Sequence, residues 1–323
     1  MRYRCLLKGG RCRVCDILGL FCGRSLVQNR SVQSWKGYHY PAVSRREIAR
    51  ELYLTSVGRS AHQAGMVYPA AGHPEDFQFR WESGRTLGDY ALLWLEAGAG
   101  VVEAAGLGRE ELRPGMSLFL PPGVWHRYGP HPNSGWVECW VCMNGSYMHR
   151  LLRNGVFPAR PCLLAIPDVG ALGEAFSRLC RLGEQGGWRA AAQALALLAL
   201  LTDEPGSRIP EREGANARSP DPLVSAVVDY IWSNCHRSLD VGVLAKRFGV
   251  SRRALERHFA AAWDRSVAKE ITWARMSRGR DLLAQPGMTV KEAGYAAGFG
   301  GSKRFIEAHR RLFGTTPGSV RRL

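Results

Sequence analysis

Two stretches near the C-terminus place charged side chains where they could meet a polyanion. In LAKRFGVSRRALERHF (Leu244 to Phe259) the apolar residues Leu244, Ala245, Phe248, Val250, Leu255 and Phe259 recur at helical spacing. Arg252, Arg253, Glu256 and Arg257 crowd the other face of its second half. Gly249 stands where a helix ending at Phe248 needs a left-handed residue, and Ser251 suits the N-cap of the next helix. About 49 residues later, KEAGYAAGFGGSKRFIEAHRRLF repeats the design with Gly298 at the turn, Phe299 after it and a basic second helix. Helix, tight turn and basic second helix are the grammar of a helix-turn-helix, whose second helix enters the major groove of DNA.

The nine cysteines offer a second chemistry, metal or disulfide. Cys139 and Cys142 form a CxxC inside WVECWVCM, which reads as a strand. Residues three apart on a strand point to opposite faces, so these thiols do not converge on one metal. Cys162, Cys180 and Cys235 are scattered singly, as small buried thiols are, and the odd total fits a reducing cytoplasm better than a secreted framework. Cys5, Cys12, Cys15 and Cys22 have the spacing C-x6-C-x2-C-x6-C. Zinc is one reading of them, and a poorly structured basic extension, or an upstream start codon chosen in error, is the other.

The elements that must position these residues follow from pattern. The 323 residues carry a net charge of +16, distributed as +9 over residues 1–50, −2 over 51–220 and +9 over 221–323. Basic ends favour a polyanionic partner, because lysines and arginines that neutralise phosphates release condensed counterions. From Tyr53 to Leu152, DFQFRW, YALLWLEAG, AGVVEAAG, GMSLFLPPG, WHRYG and GWVECWVCM read as short strands separated by turns. From Val169 to Asp203 the period becomes helical, ending in an Ala/Leu-rich helix from Trp188 that is too apolar for a lone surface element. Its run AAAQALALLALL is too short to span a membrane. EPGSRIPEREGANARSPDP, rich in proline, glycine and charge, reads as a linker.

The last hundred residues resemble the DNA-binding domain of the AraC/XylS family of transcription regulators. The resemblance is carried by LDVGVLAKRFGVSRRALERHF, by the linking helix WARMSRGRDLL with Arg275, and by AGFGGSKRFIEAHRRLFGTTPGSVRR. It implies that one linking helix holds both units, that Arg253, Glu256 and Arg257 face base edges from the first, and that Lys303, Arg304 and Glu307, after Ser302, do so from the second. Arginine forks suit guanine and a glutamate can accept from a cytosine amine. Arg252, Arg310 and Arg311 are the expected phosphate contacts. The chain departs from the family at Ala293-Gly294, at His309 and at Gly300-Gly301, which predicts looser packing and a weaker helix start in the second unit.

GMSLFLPPGVWH also fits a second motif of the cupins, with Gly115, Pro121, Gly123 and His126. Metal-dependent cupins need three or four converging donors, and EAGAGVVEAAGLG, where the others would lie, contains no histidine. His126 is therefore expected to be a hydrogen-bonded structural residue, with no metal, no cofactor and no catalytic residue. The segments GRTLGDYALLWLEAGAGVV, PPGVWHRYGPHP and GWVECWV resemble the effector-binding cupin of AraC-family sugar regulators. That resemblance implies effector contacts from Arg85, Tyr128, Glu138 and Trp140. An arginine fork and a phenol can bind sugar hydroxyls, and an indole can stack on the C–H face of a pyranose. Glu138 stands where arabinose recognition uses a histidine, which points to another sugar or polyol. The bland alternatives are that Trp140 is core, that Tyr128 caps a loop and that Arg85 pairs with Asp89.

The expected fold is α+β and two-domain: an N-terminal cupin-like β-barrel with helices after it, linked to an all-α domain of two helix-turn-helix units. The expected divisions are a basic, poorly ordered extension (1–50), the effector-binding domain (51–165), a helical dimerisation segment (166–203), the linker (204–222) and the DNA-binding domain (223–323). The expected protein is a cytoplasmic, ligand-responsive regulator, an activator in the family's manner, acting as a homodimer on double-stranded DNA with RNA polymerase as a further partner. A constitutive DNA-binding protein whose cupin only dimerises is the alternative, and a cupin enzyme fused to a DNA-binding domain is the third.

Overall fold

A computed structural model describes residues 37–69, 73, 77–153, 156–158, 160–202, 221–262, 266–283 and 285–318. Cys5, Cys12, Cys15, Cys22 and most of the expected linker lie outside the described residues. The first half is built on two antiparallel sheets. One has six strands in the order β1 (Gly37–His39), β2 (Tyr53–His62), β9 (Trp136–Asn144), β4 (Tyr90–Gly98), β7 (Met116–Leu120) and β10 (Cys162–Ala165). The other has four, in the order β3 (Arg85–Thr86), β8 (Trp125–Pro130), β5 (Gly100–Ala104) and β6 (Gly108–Leu112). They face one another as separate ladders among the described residues, so the β-rich half is an open two-sheet form of the expected barrel.

The run YALLWL is apolar without alternation because β4 is covered on both sides. Tyr90, Leu92 and Trp94 face one cluster, with α3 (Val169–Gly183) and α4 (Gly187–Thr202); Ala91, Leu93 and Leu95 face the other, between the sheets. β9 repeats this, with Cys139, Val141 and Met143 on the helix side and Trp140 and Cys142 between the sheets. The two CxxC thiols thus lie on opposite faces, as the strand reading predicts. Gly183 of α3 sits directly on Val57 of β2, and Phe176 meets Trp94 edge to face at 4.8 Å. No helix among the described residues is long and apolar enough to cross a membrane.

Two expectations need correction. Residues 37–49 do not belong to a poorly ordered extension: β1 pairs with β2, and Ser44 and Glu47 form a reciprocal capping box on α1 (Arg45–Ala49). Residues 77–81, the described part of DFQFRW, do not form a strand. Only Arg80 bridges to Gly84, and alternation there serves to aim Phe77 inward from a loop, not to fill a ladder.

The second half is helical throughout: α5 (Pro222–Asn234), α6 (Val241–Arg247), α7 (Arg252–Ala262), α8 (Val267–Leu283), α9 (Val290–Ala296) and α10 (Ser302–Phe313), with α2 (Ser146–Arg153) belonging to the first half. Two separate apolar clusters mark two units, one around Val227, Leu244, Leu255 and Phe259, the other around Met276, Ala293, Ala297 and Phe305. α8 contributes to both and caps both. Arg275 donates to the carbonyls of Cys235 (2.9 Å), Arg237 (3.2 Å) and Leu239 (3.1 Å) beyond the end of α5, and Arg278 donates to Ala296 (3.1 Å) at the end of α9. A guanidinium placed on orphan carbonyls at a helix C-terminus gains both hydrogen bonds and dipole attraction.

The halves touch along α8. The Tyr53 hydroxyl donates to Asp281, Arg280 pairs with Asp89 at 3.7 Å, the Trp273 ring lies over Gly123, and Trp232 of α5 stacks on His149 of α2 with ring centres 3.4 Å apart. Burial pushes the Asp281 carboxyl up to about 7.

Replacing Arg275 tests the linking role of α8. Arg275→Ala leaves three carbonyls without this donor and should cost about 1–3 kcal/mol. An unchanged thermal unfolding midpoint would show that α8 holds the first unit by apolar packing alone.

Candidate functional site

The first candidate site is a cavity between the two sheets. Arg85 arrives on β3, opposite His126 in register, Tyr128 on β8, and Glu138 and Trp140 on β9. All four line the same space together with Tyr40, Tyr68, His73 and Phe77. Arg85 holds the centre. It donates through Nε to His126 Nε2 (3.2 Å), through one terminal nitrogen to the Phe77 carbonyl and through the other to the Tyr128 hydroxyl. Its guanidinium also lies over the rings of Phe79 (5.0 Å) and Tyr128 (5.2 Å). Arg85 therefore does not pair with Asp89, which goes instead to Arg280.

His126 is the structural residue that the missing ligands foretell. Burial, then the neighbouring Arg85 charge, pushes its imidazole down to about 3, so it is neutral. Nδ1–H donates to the Val124 carbonyl at 2.9 Å, which leaves Nε2 to accept from Arg85. Among the described residues no three His, Cys, Asp or Glu side chains converge as a metal site.

Glu138 is buried and bonded at both oxygens, to His62 Nε2 (3.1 Å) and to the Tyr68 hydroxyl (3.0 Å). Burial and then Glu138 hold the Tyr68 phenol well above its ordinary range. The Trp140 indole lies against Gly58, its cross-strand neighbour, where a side chain would collide with the ring. Its surroundings also include His73 at 5.7 Å and Tyr38 at 6.3 Å between ring centres. The Tyr40 hydroxyl and His73 Nδ1 share a hydrogen bond of 2.7 Å, and burial, then the Arg85 charge, lowers His73 to about 4, so its ring is neutral. These aromatic groups leave a void of only about 30 Å³, room for about one water. A larger occupant must displace the Tyr40–His73 pair or its neighbours.

Sequence reasoning missed Tyr40, His62, Tyr68, His73 and Phe77. Tyr40, Tyr68, His73 and Phe77 reach the cavity from the segments after β1 and between β2 and β3, and His62, at the end of β2, supports Glu138, in places where periodicity marks few inward residues. Only Phe77 carried a signal, in the alternation of DFQFRW.

The second candidate site is the outer face of the helical half. Arg252, Arg253 and Arg257 on α7 are exposed and Glu256 is half-buried, opposite the buried Leu255 and Phe259. On α10, Lys303, Arg304, Glu307, Arg310 and Arg311 are exposed and Ser302 is half-buried, opposite Phe305, Ala308 and His309. Gly249 is left-handed (φ 67°), and Ser251 Oγ accepts from the Ala254 amide at 3.1 Å, starting α7. Gly301 starts α10 with no side-chain cap, as its sequence predicts. The Ala293-Gly294 departure has a different consequence from looser packing. At Gly294 an added Cβ would lie 3.1 Å from the Gly301 carbonyl and from Phe305, so its absence lets α9 and α10 close tightly. His309 is buried and bonds the Thr315 carbonyl through Nδ1 at 2.9 Å, which ties down the chain after α10.

The low pKa of His126 carries a sign. Above about 6.5 both folded and unfolded states hold it neutral; as pH falls toward 3 the unfolded state takes up a proton that the folded one refuses, so stability is lost with falling pH. His126→Gln, which keeps a donor and an acceptor, should flatten the loss of stability between pH 6.5 and 3. An identical slope in urea titrations of both proteins would place the acid sensitivity elsewhere.

Comparison with known proteins finds a matching domain in each half of the chain. Residues 64–201 match a family model described as an AraC-like ligand binding domain, and residues 244–323 match one described as a helix-turn-helix domain. The Msm operon regulatory protein of Streptococcus mutans is 25% identical over 66% of this chain and 77% of its own. The arabinose operon regulatory protein of Escherichia coli K12 is 27% identical over 72% of this chain and 80% of its own. The transcriptional regulator GlxA of Rhizobium meliloti is 35% identical over 35% of this chain; the chain spans only 33% of that relative's length. Among solved structures, ToxT from Vibrio cholerae aligns with a TM-score of 0.48 at 11% identity, covering 75% of this chain and 93% of that one. With a ligand-binding domain ahead of two helix-turn-helix units, the chain belongs to the AraC family of DNA-binding transcription regulators.

Proposed function

We propose that the protein senses a sugar or sugar-like polyol in the cavity between its sheets and converts that signal into altered binding of DNA. The observation that carries this reading is the convergence of Arg85, Tyr128, Glu138 and Trp140 on one buried space. An arginine fork, a phenol and a carboxylate are donors and acceptors for hydroxyl groups, and an indole offers a face for their C–H surface. One relative, the arabinose operon regulatory protein of Escherichia coli, fits the same chemical class. Glu138 is committed to His62 and Tyr68, so the hydroxyl that it recognises must replace one of these partners.

The reading continues through the domains expected from sequence, 51–165 for effector, now with 37–49 added to it, 166–203 for dimerisation, 204–222 as linker and 223–323 for DNA. On α4, Trp188 and Leu200 are 46% and 38% exposed, with Ala192 and Ala196 between them on the same outer side. Such an apolar stripe suits a second copy of this chain. Arg253, Glu256, Arg257, Lys303, Arg304 and Glu307 read base edges, Ser302 helps start the second reading helix, and Arg252 and Arg310 hold phosphates. RNA polymerase is the partner that reads the outcome.

The test is fluorescence anisotropy against DNA from the protein's own upstream region, at two salt concentrations, with and without pentoses and hexoses. Salt-sensitive binding that shifts with one sugar is expected, and that sugar at 100 times its Kd should stabilise the protein by about 2.7 kcal/mol. Tight binding indifferent to every sugar would favour the constitutive alternative. On the DNA side, Arg253→Ala should relax preference at one base pair by about 1–3 kcal/mol, whereas Arg310→Ala should weaken specific and random duplexes alike. Equal losses on both duplexes from both variants would overturn the assigned roles.

A further inference from the structure

Five consecutive residues, Arg85 to Asp89, connect the cavity to the helical half, and each is held at a different point. Arg85 and Thr86 pair with His126 and Trp125 on β8. The Leu87 carbonyl accepts from the Gly123 amide at 2.9 Å. The Gly88 carbonyl and Asp89 Oδ1 both accept from Asn144 Nδ2, at 2.8 and 2.9 Å, and Asn144 in turn accepts from the Gly145 amide. Little slack remains between the two ends of this segment.

At the near end, the Arg85 side chain is the hub of the cavity. At the far end, the segment meets α8 and α10. The Arg280 guanidinium is packed onto the bare backbone of Gly88, where any Cβ would overlap it, and its terminal nitrogen stands 3.7 Å from Asp89. The Phe313 ring, last residue of α10, lies 5.1 Å from the same guanidinium and 5.8 Å from Trp273. Trp273 covers Gly123, the residue bonded to Leu87. One end of this strut therefore answers to whatever occupies the cavity, and the other abuts both the linking helix and the C-terminal end of the second basic helix.

We propose that Arg280, seated on Gly88 and paired with Asp89, is the positioning residue through which the strut 85–89 couples the cavity to the DNA-binding half. The coupling joins two places on this chain and rests on the cavity being the effector site, but not on the effector being a sugar. A side chain at position 88 would displace the Arg280 guanidinium, which occupies its place. Displacing Arg85 shifts the strut and loosens the seat of Arg280. By thermodynamic reciprocity, unseating Arg280 loosens the cavity.

Hydrogen–deuterium exchange on the full chain tests this without any ligand. The parent is compared with Arg85→Met at the cavity end, Arg85→Lys as a milder change there, Gly88→Ala at the far end, Arg280→Ala, and the Gly88→Ala/Arg280→Ala double variant. Either Arg85 variant should lower protection in α8 around Trp273 to Asp281, and Gly88→Ala should lower it around Phe77 and Tyr128, by about 5-fold or more, the lower bound of typical coupling. Arg280→Ala, which empties the seat without adding a Cβ, should restore Gly88→Ala toward the Arg280→Ala level. Loss of protection confined to the mutated end, in both directions, would overturn the proposal. If Arg85→Met unfolds the first half, the Arg85→Lys and Gly88→Ala arms still decide. A sugar panel run in parallel separates the two ideas: no sugar binding with reciprocal loss of protection removes only the choice of effector, while sugar binding with no reciprocal loss removes only the strut.

Discussion

β4 and β9 run through the middle of the six-stranded sheet and must be covered on both faces, since neither strand offers a polar side to water. α3 and α4 satisfy one face and the four-stranded sheet satisfies the other. The second requirement creates the cavity, because two twisted sheets that face one another without closing leave a space at their mouth. The residues at that mouth are then free to be polar, and Arg85, Tyr128 and Glu138 are placed there by strand register. Helix packing and binding chemistry are thus two faces of the same strands. A volume change on the helix side is felt on the cavity side through close-packed neighbours such as Trp94 and Leu93.

The helical half solves a different problem, that of holding two small units, neither with much core of its own, at a set spacing. α8 does so by lending side chains to both clusters and by placing arginines three residues apart, so that each caps a different unit. Because the arginines bond to backbone carbonyls, the spacing is insensitive to most side-chain changes in the units themselves. The first unit starts its basic helix with a serine cap. The second starts with glycine and relies on close approach at Gly294 and on His309.

The helical half was legible in sequence because its signals are local: Gly249, Ser251, Gly298 and the 3.6-residue recurrence of apolar positions each act within one or two turns of chain. The same holds for the CxxC at Cys139 and Cys142, whose opposite facing follows from strand period alone. What sequence could not show is whatever depends on long-range pairing. DFQFRW alternates as a strand would, yet among the described residues its pairing is the single Arg80–Gly84 bridge. Residues 37–39 are too few to read as a strand and become one by pairing with β2, whereas the Ser44–Glu47 capping box that starts 45–49 is a local signal that sequence reasoning missed. The cavity was half visible: family resemblance supplied Arg85, Tyr128, Glu138 and Trp140, while Tyr40, Tyr68 and His73 come from turns that no pattern marks. Asp89 was a plausible partner for Arg85 at four residues' distance, until the strand held Arg85 inward and the fold brought Arg280 to Asp89 from nearly two hundred residues away.

The void of about 30 Å³ has a further consequence. On the proposed reading, a ligand larger than this void competes with the Tyr40–His73 pair as well as with water, and its apparent affinity is the intrinsic one multiplied by the fraction of molecules in which that pair has moved aside. The response threshold would then depend on the Tyr40–His73 bond as much as on Arg85 or Trp140, so a change at either end of that bond would retune the threshold while leaving the cavity's charged groups in place.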